Sequence, residues 1–293
     1  MIGKIFLVYH IVVYVIQFRH IQGCIMKLIR LAGGMGNQMF IYAFGLGLSK
    51  KYKRIYFNKK NYKKQKNRNY ELGIFPNLQI KFRPRYRFIP CHKNKESTLF
   101  KFNKDLLNAH FNEYWTGYFQ NEKYFANVES DVRHAFEFPE FDKDDTFNKT
   151  WAKTINECKN PVFIHVRRGD YVELDGWLLG IDYYKNAVKY IKSHVKNPTF
   201  FVFSDADESY IRDNFKIGCK YLYIGTHNAD TSNSFRDMHL MSLCKHAIIA
   251  NSSFSWWGAW LQKNKQNVVC APSPWLFSCD DIICENWVKI PRK

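Results

Sequence analysis

At 293 residues the chain is too long for one small core and suits two domains of about 120 to 150 residues each. An apolar fraction of 46% supplies ordinary cores, and a net charge of +18 favours a polyanionic partner: nucleic acid, an anionic membrane face or a phosphorylated ligand. The eight cysteines stand singly with no Cys-x-x-Cys, which excludes zinc-site spacing and agrees with a reducing, cytoplasmic compartment.

Residues 1–25 form an extension whose Ile5–Phe18 stretch is almost wholly apolar. It is shorter than the roughly 20 residues that span a bilayer, and no small-residue cleavage site follows. It reads either as an anchor or as a product of start-site choice, with Met26 the favoured start. Residues 26–150 then read as a first domain and 151–293 as a second. Lys27–Leu31 is a strand running into Gly33-Gly34. Gln38–Ser49 has helical spacing, and Arg54–Phe57 is a second strand, so the chain opens as the first unit of a parallel sheet. Lys50–Arg68 carries ten Lys or Arg and no acid. It is a solvated basic loop or a contact with a membrane surface or an anionic acceptor. Residues 59–110 are irregular, and Phe136–Phe147 looks like a linker.

From Pro161 strands and helices alternate. Val162–Val166, Phe200–Phe203, Tyr221–Ile224, Ala247–Ala250 and Val268–Ala271 are strands. Asp182–His194, Ser234–Lys245 and Phe254–Gln262 are helices, and Asp207 is placed to cap a further one. This is a doubly wound α/β pattern, with the ligand expected where loops leave the carboxyl ends of the strands.

Three motifs stand at such ends. Gly33–Gln38, GGMGNQ, follows the first strand. A dinucleotide fingerprint fails here, because the third glycine position is Met39 and no acid ends the second strand. Asn37 and Gln38 in so tight a turn suit a polar ligand. In His165–Tyr171, HVRRGDY, His165 and Arg167 share one strand face while Arg168 points the other way. An arginine fork suits a diphosphate, although a surface turn with an Arg–Asp pair is equally consistent with the motif alone. Asp237–Leu261 contains Asn251, Ser252 and Ser253 at a strand-to-helix turn, a phosphate or ribose site. Asp237 can accept two hydrogen bonds from a guanine edge or simply face a helix dipole. Trp256, Trp257 and Trp260 read as core before sugar platform.

Together HVRRGDY, the Asp237–Leu261 block, MKLIRLAGGMGNQMFIYAFG and FSDA (203–206) resemble the α-1,2-fucosyltransferases, glycosyltransferase family 11, from Met26 to about Pro274. The resemblance implies a GT-B architecture, two Rossmann-like domains facing a cleft. It further implies GDP-fucose as donor, inversion at the anomeric carbon and no metal. The implied acceptor is a terminal β-galactoside, with a lipid-linked bacterial surface glycan as its expected carrier. Arg167 matches the contact to the β-phosphate. His165, Asp237 and Ser253 match nucleotide-binding positions, and Asn37 the glycine-turn asparagine. Arg168 and Ser252 complete the expected donor site. Asp170 is the expected general base, or else the residue that holds Arg167 or Arg168, and Glu173 is its reserve. The expected location is cytoplasmic, at the inner face of the membrane if the basic run touches lipid. Two other classes remain: a nucleic-acid-binding protein using its basic surface, and a nucleotide-sugar-binding protein without turnover.

Overall fold

The computed structural model describes residues 27–63, 68–83, 91–228, 233–264 and 266–292. The proposed extension and residues 64–67 of the basic run lie outside the described residues.

Two wholly parallel sheets carry the chain. The smaller has the order β2-β1-β4-β3, from β1 (Lys27–Arg30), β2 (Ile55–Asn58), β3 (His92–Lys95) and β4 (Glu113–Thr116). The larger has the order β10-β9-β8-β5-β6-β7. Its strands are β5 (Pro161–Val166), β6 (Thr199–Ser204), β7 (Leu222–Tyr223), β8 (His246–Ile248), β9 (Val269–Ser273) and β10 (Val288–Pro291). β5 lies between β6 and β8 and is buried at every residue, as its unbroken apolar run requires of a parallel strand covered on both faces. The helices are α1 (Met35–Ser49), α2 (Glu129–Ala135), α3 (Thr146–Glu157), α4 (Ile181–His194), α5 (Glu208–Asn214), α6 (Phe235–Leu243) and α7 (Ser253–Trp260). None of the described helices is long and apolar enough to cross a membrane.

α1 is apolar on nearly every face, and it is buried on nearly every face. One side covers the small sheet. Another packs on α7, where the Phe40 ring lies 4.5 Å from Trp256 and 4.9 Å from Trp257. Phe125 stacks on Trp257 at 5.6 Å. The core therefore runs without a break from Ile29 and Trp115 in the small sheet to Phe163 and Val269 in the large one. The three tryptophans are core, as read from their spacing. A second core, with Ile164, Tyr183 and Ile248, fills the space between the far face of the large sheet and α4.

The two halves meet at the first turn of α1. A Cβ on Gly36 would lie 2.7 Å from the Ser253 carbonyl carbon and 2.8 Å from the Phe254 nitrogen. Only glycine lets the two helix starts approach this closely. The Trp257 indole fastens the contact, its Nε1 donating to the Gly36 carbonyl at 2.9 Å.

Three expectations change and one element is added. The irregular stretch holds β3, whose sequence HKNK has no apolar alternation because it is an exposed edge strand. The expected linker is packed: Phe136 is buried against Tyr42 and Trp257, and Asp145 caps α3 through the Asn148 amide. The C-terminal tail adds β10 beside β9. Asp207 stands before α5 but makes no side-chain capping bond.

Gly36→Ala is expected to lower unfolding stability by about 1–3 kcal/mol, since the new methyl group meets backbone. Urea unfolding would show this as a lower midpoint at unchanged slope.

Candidate functional site

The carboxyl ends of β1, β4, β5, β6 and β8 open onto one cavity of about 400 Å³ between the sheets. Two helix starts reach its wall, α1 through Gly34–Asn37 and α7 through Ser252–Phe254. Their unpaired amides and aligned dipoles give the cavity positive potential without any side chain.

The arginine of HVRRGDY stands at the centre of this wall. Arg167 Nη2 donates to Asp170 Oδ1 at 2.6 Å, and Nη1 pairs with Asp205 Oδ2 at 2.7 Å. Its Nε is buried with no hydrogen-bond partner among the described residues. Burial alone would lower its basicity, but the carboxylates of Asp205 and Asp170 outweigh burial and hold the guanidinium charged. Asp205 also accepts the Arg168 amide at 2.7 Å, so one carboxylate fixes both the side chain and the backbone of the turn.

Arg168 itself leaves the site. Its guanidinium stacks on Tyr210, 3.8 Å from the ring centre, and donates to the Tyr210 hydroxyl at 2.9 Å. It does not line the cavity, because successive residues of a strand face opposite sides. The expectation that Arg168 contacts the donor is corrected on this ground.

Asp170 is committed on both oxygens. Oδ2 accepts from Arg68 Nη2 at 3.0 Å while Oδ1 accepts from Arg167. With both oxygens engaged, Asp170 is placed to hold Arg167, and its ion pair with Arg68 ties the two halves across the cleft. Glu173, the reserve base, is exposed and does not line the cavity.

His165 is 4% exposed, and burial, then the nearby Arg167 charge, pushes its pKa down to about 3. It is therefore neutral at any working pH. Its Nδ1 has no partner among the described residues, and the residue lines the cavity. Asn37 bridges the halves: its Oδ1 accepts from Gln120 at 2.6 Å and from the Ser253 hydroxyl at 2.8 Å. Ser252 caps α7, its oxygen accepting from the Phe254 amide at 3.3 Å.

Asp237 stands on the cavity wall at the start of α6. Its Oδ1 accepts from Asn228 at 2.7 Å, and Asn228 exchanges amide bonds with Asn148 at 2.8 and 3.1 Å. Asn148 in turn donates to Asp145, which pairs with Arg236. Burial raises the carboxyl pKa to about 6, against the pull of the Asn228 bond. A ligand offering two N–H groups would satisfy this carboxylate.

Asn37, His165, Arg167, Asp170, Asp237, Ser252 and Ser253 thus line one cavity, whereas Gln38, Arg168 and Glu173 do not. The structure adds Arg68, Glu71, Gln120 and Asp205, which the motifs did not single out. Asp205 lay within FSDA and could have been marked as an acid at a strand end. The other three come from loops whose approach to the cavity has no local signature. Among the described residues one group has metal-ligand spacing, His92, His110 and Glu113, and none of the three lines the cavity.

A family description, glycosyl transferase family 11, matches residues 97–290. The match includes β10 and most of the tail beyond Pro274. An α-1,2-colitosyltransferase of Escherichia coli is 32% identical over 90% of this chain and 98% of its own length. A galactoside 2-α-L-fucosyltransferase of Bos taurus is 24% identical over 50% of this chain and 41% of its own. Among solved structures, the fucosyltransferase NodZ from Bradyrhizobium superposes with a TM-score of 0.46 at 9% identity, over 80% of this chain and 92% of that one.

The Asp237 shift carries a sign. A carboxyl whose folded pKa lies above its unfolded value of 3.8 stabilises the fold fully below that value. This contribution is lost as pH rises through about 6. Asp237→Asn is therefore expected to be more stable than the wild type at pH 8, by about 1–2 kcal/mol, with the gap closing towards pH 4. Urea titrations across that range measure it.

Proposed function

This chain belongs to glycosyl transferase family 11, and from that premise we propose that it moves L-fucose from GDP-fucose to the 2-hydroxyl of a terminal β-galactoside with inversion. The observation that carries the reading is Arg167, held charged by two carboxylates on a wall built from helix starts. As the bond from sugar to phosphate breaks, the sugar becomes cation-like and negative charge grows on the β-phosphate. A fixed guanidinium and the α7 amides stabilise that charge more in the transition state than in the ground state. They can do this without a metal, so the reaction is expected to proceed in EDTA. Asp237 would accept the guanine N1–H and 2-amino group, with Asn228 holding its other lone pairs. Neutral His165 offers a hydrogen bond without competing with Arg167 for charge.

One observation favours a second donor. The relative matched over nearly its whole length is named for colitose, a 3,6-dideoxyhexose that differs from fucose by one hydroxyl. The two sugars place the same demand on Arg167 and Asp237. The acceptor is read as a β-galactoside carried on a lipid-linked surface glycan at the cytoplasmic face of a membrane. The basic stretch from Lys50 onward suits that surface.

The test is nucleotide release from GDP-fucose and from GDP-colitose, with and without lactose, in EDTA. Acceptor-dependent release from GDP-fucose, with an α-1,2 product by linkage analysis, is the expected result. Release only from GDP-colitose would move the assignment to the second donor, and failure to bind GDP would overturn both. Arg167→Ala should lower kcat by about 100-fold or more, about 3 kcal/mol of barrier, while near-normal turnover would refute its role. GDP affinity should be flat above pH 6.5 and fall about tenfold per pH unit below about 6, where Asp237 takes up a proton. Asp237→Asn should bind weakly with no such bend, as isothermal titration would show.

A further inference from the structure

Resting on that reading, we propose that Glu71 is the general base that takes the proton from the acceptor hydroxyl. In a single displacement the attacking oxygen approaches the anomeric carbon from the side opposite the leaving phosphate. The leaving group lies on the wall built by β5 and α7, where Arg167 stands. The base must therefore come from the opposite wall, which the small sheet and its loops provide.

Four acids line the cavity, Glu71, Asp170, Asp205 and Asp237. Three belong to the large-sheet half and are already engaged. Asp170 bridges Arg167 and Arg68, Asp205 holds Arg167 and the Arg168 amide, and Asp237 accepts from Asn228. Glu71 is the one acid that the opposite half contributes. It forms no ion pair among the described residues.

Glu71 is also held in place. Its backbone N–H donates to Gln38 Oε1 at 2.9 Å, and the same Gln38 donates to the carbonyls of Gly33 and Asn69 at 3.1 and 2.8 Å. The Met35 amide at the start of α1 acts on its carboxylate, favouring the anion. The residue thus rides on the glycine turn that sets the cleft. Burial lifts its pKa to about 7, against the opposing pull of Arg68 and the Met35 amide. The other titratable group facing it is Tyr62, whose hydroxyl donates to the Gly33 carbonyl and whose own pKa is raised, so it stays neutral. A carboxylate with a pKa close to the working pH is half ionised in the resting enzyme and a useful proton acceptor.

The step balances. The acceptor oxygen forms its bond to the anomeric carbon, and the bond from that carbon to the β-phosphate oxygen breaks with its electron pair leaving on GDP. The hydroxyl proton passes to Glu71.

The experiment compares wild type, Glu71→Gln and Glu71→Asp in the full chain, with GDP-fucose and lactose. Glutamine keeps the size and removes only the titration, so GDP affinity should match the wild type and the thermal midpoint should be no lower. Its kcat should fall by about 100- to 10,000-fold. The wild-type kcat should rise through an apparent pKa near 7, and this limb should vanish in Glu71→Gln. Glu71→Asp should recover part of the rate with the limb restored. Wild-type kcat and an unchanged pH limb in Glu71→Gln would overturn the proposal while leaving the transferase reading intact. A loss of GDP affinity matching the loss of kcat would make Glu71 structural and overturn it too. If the wild type itself shows no acceptor-dependent release, the functional reading fails first, and the base assignment with it.

Discussion

The contact of Gly36 with the backbone of Ser253 and Phe254 sets the distances on which the site depends. Two helices from different sheets meet end to end there, and no side chain separates them. Their free amides consequently face one small volume instead of two separate surfaces. The surrounding bonds repeat this closeness. Trp257 donates to Gly36, Ser253 and Gln120 both donate to Asn37, and Arg68 pairs with Asp170. Those of Trp257, Ser253 and Arg68 span from one half to the other, and Gln120 holds Asn37 in place for its bond to Ser253.

Electrostatics explain why the wall is built in layers. A bare guanidinium in a half-buried cavity would be costly, and Asp170 and Asp205 offset that cost. They also orient the fork, leaving the group cationic but rigid. Behind them lie a second set of compensations: Arg68 on Asp170, the Arg168 amide on Asp205, and the Asn228–Asn148–Asp145–Arg236 chain behind Asp237. The strong positive balance of the chain is thus partly used inside the cleft. Arg68, the last cation of the basic run, points into the cleft.

Family membership and local geometry divide the work between them. Membership in glycosyl transferase family 11 supplies the class of reaction. The geometry supplies the grounds for the proposed roles: an arginine on the cavity wall, two carboxylates that hold it, and one acid on the opposite half with no ion pair among the described residues. The two carboxylates of the arginine turn, Asp170 and its reserve Glu173, differ in their surroundings. One is shared by two arginines, and the other lies outside the cavity.

The sequence by itself determined the parallel α/β pattern, the buried strand Pro161–Val166, the glycine turn before α1, and the residues Asn37, His165, Arg167, Asp237 and Ser253. All of these are local. A strand is read from its apolar run, a turn from its glycines, a helix from its spacing, and a strand-end motif from its neighbours. The tertiary structure alone decided the rest. β3 escaped because an exposed edge strand has no buried face to impose alternation. Arg168 was misassigned because direction at a strand end depends on where the turn begins, and here Tyr210 receives the side chain. Glu71 was invisible because its burial, its raised pKa and its place opposite Arg167 come from α1 and Gln38, 33 residues away in the chain. A carboxyl group acquires such properties from what surrounds it in space, and a linear sequence does not display that.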